Sequence, residues 1–137
     1  MSKLQIVLLL TTLLGSFHII TGAEKCGSSG CMYEKMLESV EKDFIEQCFK
    51  EVGVTAEDIR SAVQQNVYGE KQMCFQKCLA MKTGSLGKDG QININYMKEH
   101  LPPDLAPNSE AILACLKKLG PITACQHISG MRKCIHL

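Results

Sequence analysis

The sequence has almost no excess of charge, with 15 basic and 14 acidic residues in 137 and a formal net charge of +1. No global field therefore draws it onto nucleic acid or an anionic membrane surface. Cation pairs such as Lys117-Lys118 and Arg132-Lys133 read as solvated helix faces, not as a nucleic-acid stripe. Catalytic signatures are missing as well: there is no Gly-x-Ser-x-Gly and no His-Glu-x-x-His. His127 stands between Gln126 and Ile128, without the neighbouring carboxylate that a phospholipase-type site needs. Asp89, Gln91 and Asn93 start like a calcium loop, but Ile94 occupies the place of the turn glycine. No Cys-x-x-Cys occurs, which argues against a zinc site. Neither an enzyme nor a resident cofactor or metal is expected. Repeats and low-complexity segments are lacking too. What is plentiful is apolar residues, at 45%, and cysteine, at 8. The first excludes a disordered chain, the length allows one domain, and the second calls for a disulfide framework.

The N-terminus reads as a secretory signal. Lys3 is the only charge before Glu24, and residues 4–23 form an uncharged run centred on Leu8, Leu9, Leu10, Leu13 and Leu14. Thr21, Gly22 and Ala23 supply small residues for cleavage after Ala23. The rival is a retained membrane anchor, since about 20 residues can span a bilayer. Thr11, Thr12, Gly15, Ser16 and His18 argue against it. Loss of residues 1–23 leaves residues 24–137 as one domain, with 14 basic and 14 acidic residues and every cysteine in an oxidising space.

Helical periodicity runs through most of that domain. Tyr33, Met36, Leu37, Val40, Phe44, Ile45 and Cys48 predict one long amphipathic helix ending near Gly53. Thr55, with Asp58 three residues on, predicts a capped second helix carrying Ile59, Val63 and Val67 on its stripe. A third carries Cys74, Phe75, Cys78 and Leu79, and Gly84 closes it. Residues 91–96 alternate as a strand would, but a lone strand has no partner, so Asn93 is read as the N-cap of a short fourth helix reaching His100. Pro102, Pro103 and Pro107 predict an extended connector. A fifth helix starts at Asn108 or Ser109, bears Ile112, Cys115, Leu116 and Leu119, and stops at Gly120 and Pro121. A sixth carries Cys125, Ile128, Met131 and Ile135. The fold class is all-α, with about six short helices.

Cysteine spacing restricts the pairing. Cys74 and Cys78 lie one helical turn apart, with Cβ atoms roughly 5–6 Å apart, wider than a disulfide allows. Cys125 and Cys134 fall on opposite faces of the last helix. Neither pair can close on itself. Cys26 and Cys31 enclose two Gly and two Ser, enough for a small local ring; an intermolecular bond is the other reading.

Cys48, Cys74, Cys78, Cys115, Cys125 and Cys134 are separated by 25, 3, 36, 9 and 8 residues. This spacing closely resembles the six-cysteine signature of the insect pheromone- and general odorant-binding protein family. Gly90 ahead of Asn93, the Leu101-Pro102-Pro103 segment and the helical run from Ile112 to Cys115 support it, and the resemblance covers residues 37–135. It implies three interlocked disulfides, Cys48–Cys78, Cys74–Cys125 and Cys115–Cys134, around an apolar cavity. Cys26–Cys31 would be a fourth, added bridge outside that pattern. Only Ile135, His136 and Leu137 follow Cys134, too few for the C-terminal helix that long-tailed members fold into the cavity at low pH, so that device is not expected.

The resemblance further implies a secreted, extracellular carrier that binds odorants, pheromones or related hydrophobic small molecules and moves them through aqueous lymph toward a membrane odorant receptor. A carrier in another secreted fluid, or a secreted protein-interaction module, are the alternatives. No nucleic acid and no stable membrane association are expected, and the chain would be a monomer or homodimer. Bridged helices need not fill their centre, so a pocket can persist. The inward stripes nominate its wall: Met36, Val40 and Phe44 from the first helix, Ile59 and Val63 from the second, Phe75 and Leu79 from the third. Met97 follows from the fourth, Leu116 from the fifth, and Ile128, Met131 and Ile135 from the sixth. Met32, Met73 and Met81 add to a methionine-rich set suited to repacking around varied ligands, ordinary core packing being the competing reading. Tyr68, Tyr96, His100, His127 and His136 are candidate hydrogen-bond donors to a ligand, against an ordinary surface role. His100, beside the prolines, is also a candidate pH-sensitive latch.

Overall fold

A computed structural model describes residues 37–135. The leader, Cys26, Cys31, Met36 and His136 lie outside them. Among the described residues there are six α-helices and two short 3-10 helices.

Helix α1 (Lys42–Val52) ends where Gly53 takes a left-handed conformation and donates its N–H to the Phe49 carbonyl at 2.9 Å. The single long helix expected from Tyr33 onward is not what forms, because residues 39–41 leave the helical conformation ahead of α1. The break costs no apolar contact. Leu37 before it, Val40 within it, and Phe44 and Ile45 after it pack against the same cluster. An apolar period reports which side chains face inward, not whether the backbone between them is continuous.

Helix α2 (Ala56–Gln65) begins with the predicted box: Thr55 Oγ1 accepts from the Asp58 N–H at 3.1 Å, and Asp58 Oδ2 accepts from the Thr55 N–H at 2.8 Å. The hydrogen bonds from the Thr55 backbone, then from its hydroxyl, hold the Asp58 carboxyl below its ordinary value. Ile59 and Val63 are buried. Val67, expected on the same stripe, is 65% exposed, because Asn66 adopts a left-handed φ of 52° and ends the helix one residue earlier.

Helix α3 (Glu70–Thr83) is the hub. It packs against α1, α2, the 3-10 turn Cys125–His127, and α6 (Ile128–Ile135). Gly84, in the left-handed region at φ 88°, closes it as expected. Beyond it, one isolated bridge between Leu86 and Ile92 is all that the alternating run contributes to a sheet, and Asn93 Oδ1 accepts from the Tyr96 N–H at 3.0 Å to cap α4 (Ile94–His100).

The proline segment is not extended. Residues Pro103–Asn108 form a 3-10 helix, opened by the Leu105 N–H donating to the Pro102 carbonyl at 2.9 Å. A proline's fixed φ suits the first position of a helix, where its missing N–H leaves no bond unmade. The coil tucks Leu105 into the core. Helix α5 (Ser109–Lys117) follows, with Ile112 and Leu116 fully buried, and it stops ahead of Gly120. The last helix is two pieces, the 3-10 turn at Cys125–His127 and then α6.

Three disulfides tie these elements: Cys48–Cys78 joins α1 to α3, Cys74–Cys125 joins α3 to the 3-10 turn, and Cys115–Cys134 joins α5 to α6. They are the pairs that the family resemblance implied, and neither local pair excluded by the helix geometry forms. Two apolar clusters result. One gathers Cys48, Val54, Ile59, Val63, Phe75 and Leu79 around α1 to α3; the other gathers Met97, Leu105, Ile112, Leu116, Ile128 and Met131 with their neighbours.

A candidate ligand cavity between two apolar clusters

Side chains from both clusters border a cavity of about 570 Å³. Helix α3 contributes Gln76, Leu79, Ala80 and Thr83; α4 contributes Tyr96, Met97, Glu99 and His100. The proline segment supplies Leu101, Pro102, Pro103, Asp104 and Leu105, and α6 supplies Ile128, Met131, Arg132 and Ile135. Leu37, Ser39 and Val40 border it from the chain entering α1, with Tyr68 and Ser85 from two loops.

Of the side chains nominated from sequence, Val40, Leu79, Met97, Ile128, Met131 and Ile135 stand on this wall. Phe44, Ile59, Val63 and Phe75 lie instead in the cluster of α1 to α3, where Phe75 stacks on Phe49 with ring centroids 4.8 Å apart. Leu116 is sealed in the second cluster. Met36 lies outside the described residues. Among the polar candidates, Tyr68, Tyr96 and His100 reach the wall and His127 does not; its Nδ1 accepts from the Ala124 N–H at 3.4 Å.

The wall's polar groups differ in how far they are occupied. Thr83 Oγ1 lies 2.9 Å from the Leu79 carbonyl, Ser85 Oγ lies 3.1 Å from the Ala80 carbonyl, and the two hydroxyls are 3.3 Å apart, so both have hydrogen-bond partners within the protein. Tyr96 and His100 stack with centroids 3.9 Å apart, and His100 Nδ1 lies 2.9 Å from the Tyr96 carbonyl oxygen. Gln76 Oε1 is buried and has no hydrogen-bond partner among the described residues. Arg132 rests its guanidinium on the Tyr68 ring, 3.3 Å from the centroid.

Sequence reasoning missed two contributors. The proline segment was read as a linker, although Leu101 and Leu105 flank its turns with apolar side chains. Arg132 was read as a solvated cation beside Lys133, although it falls four residues after Ile128 and three before Ile135, on their face of the helix. No three His, Cys, Asp or Glu side chains gather into a metal-type cluster among the described residues. No helix among them is long and apolar enough to cross a membrane.

Three interlocked bridges and a half-open apolar cavity are a specific combination, and the sequence pattern of the PBP/GOBP family matches residues 30–137. The chain belongs to the PBP/GOBP family. The fold agrees with that membership. A crystal structure of a Locusta migratoria odorant-binding protein superposes with a TM-score of 0.57 at 23% identity, over 69% of this chain and 74% of the other. A medfly odorant-binding protein gives 0.51 at 23% identity, over 69% and 83%. At that identity each likeness is one of fold. Among curated proteins none matches the chain by sequence.

Proposed function

We propose that the chain is a secreted carrier that takes small hydrophobic molecules, of the odorant or pheromone kind, into this cavity and moves them through an aqueous fluid toward a membrane receptor. The observation that carries the reading is the cavity of about 570 Å³ whose wall draws apolar side chains from both clusters of a PBP/GOBP chain. That size lies within the range of small-molecule sites. Each Å² of ligand hydrocarbon removed from water there contributes roughly 25 cal/mol, which is the driving force for uptake. The disulfides support the same reading, since bridged helices keep their places without a filled centre. The uncharged run at residues 4–23 and the added pair Cys26 and Cys31 accord with an oxidising, extracellular setting.

The test is displacement of a fluorescent naphthylamine probe from the secreted protein by long-chain alcohols, esters, terpenoids and fatty acids. Displacement by at least one of these classes is expected, with no hydrolysis of ester or phospholipid substrates. A probe that enters and is displaced by none of them would sink the reading.

A further inference from the structure

Among the described residues Arg132 is the one strongly basic side chain on the cavity wall, and its surroundings are unusual for a surface cation. One nitrogen donates to Asn66 Oδ1 at 3.3 Å, and the flat of the guanidinium lies on Tyr68. Asn66 is itself held at the end of α2, where its N–H donates to the Ala62 and Val63 carbonyls. The group is thus fixed at one edge and across one face. No carboxylate among the described residues comes within 4.0 Å of its nitrogens. A guanidinium stays charged at all relevant pH values and carries five N–H donors in a planar fork. Most of that fork has no partner within the described protein, although it stands half-buried beside Ile128, Met131 and Ile135.

We propose that Arg132 is a headgroup site, and that the cavity prefers amphiphiles ending in a carboxylate, of the long-chain fatty-acid kind, over neutral esters and alcohols of the same length. The proposal rests on the carrier reading above. A carboxylate can accept two parallel charge-assisted bonds from the fork, whereas an ester carbonyl or an alcohol accepts fewer and without opposite charge. The hydrocarbon tail then lies against Leu79, Met97, Ile128 and Met131. Among the described residues the other charged or titratable groups on the wall are Tyr68, ahead of α3, Tyr96, Glu99 and His100 from α4, and Asp104 from the proline segment.

The experiment is competition for the naphthylamine probe at pH 7 by palmitic acid, methyl palmitate and hexadecanol, using the full disulfide-bonded protein. The acid should compete about tenfold more strongly than the ester and the alcohol. R132Q should erase that preference, so that acid, ester and alcohol compete within about twofold of one another. R132K, which keeps the charge and loses the fork, should retain only part of it, and it serves as the test if R132Q does not fold. Equal competition by acid and ester in the unaltered protein overturns the headgroup site while leaving the carrier standing. So does an acid preference that survives R132Q. Displacement by none of the three overturns the headgroup site, and if the terpenoids fail as well the carrier reading falls with it.

Discussion

Gln76 has its side-chain oxygen buried at the cavity wall, without a hydrogen-bond partner among the described residues. A buried acceptor left unpaired costs about 1–3 kcal/mol relative to the same site with an apolar side chain. Q76M keeps the volume and removes the acceptor, so the ligand-free protein should unfold at the same temperature or a higher one. A fall of several degrees in calorimetry would mean that the amide contributes a bond the fold depends on. The residue scale also shows where periodicity stops informing. Phe75 and Leu79 lie one helical turn apart on α3, yet Phe75 is sealed against Phe49 while Leu79 borders the cavity as well as its cluster. A helical wheel places both inward and has no means of saying which neighbour across the core fills the space.

At the scale of elements, caps and stops are local chemistry, and they follow the residue types. Thr55 with Asp58, Asn93 with the Tyr96 N–H, and the glycines at 53 and 84 sit where the chain needs an acceptor or a left-handed turn. The breaks are less local. The helix entering α1 is interrupted, and the prolines coil, because each change lets a side chain reach an apolar cluster assembled from distant segments. Gly90 shows how two such segments are held together. Its φ is 81°, its carbonyl accepts from the Ile122 N–H at 2.8 Å, and a Cβ there would stand 3.0 Å from the Ile122 carbonyl oxygen. G90A should therefore destabilise the protein by about 1–3 kcal/mol, through both the strained φ and the backbone contact. Denaturant titration checks it; an unchanged midpoint would show that the loop gives way without loss.

For the whole molecule, stability depends on the loops that disulfides close, three of them among the described residues, and the separations rank them. Cys74–Cys125 spans 51 residues and Cys115–Cys134 spans 19. In the chain-entropy account the longer loop contributes about 4 kcal/mol and the shorter about 3 kcal/mol. Replacing Cys74 and Cys125 together by Ala should thus cost more than replacing Cys115 and Cys134, as read from denaturant unfolding; the reverse order would place strain or residual structure above loop entropy. Cysteine spacing alone excluded the two local pairings, because a helical turn and its opposite face are set by backbone geometry. Capping residues likewise placed helix starts and stops such as Thr55, Asn93 and Gly84, since those forces act within a few residues of chain. The cavity was decided elsewhere. Its wall joins α3, α4, α6, the proline segment and the approach to α1, and it exists because these faces, held by bridges, do not meet. Whether facing surfaces fill the space between them depends on all of them together, so only the tertiary structure separated cavity wall from packed core and set Arg132 at the edge of an apolar space.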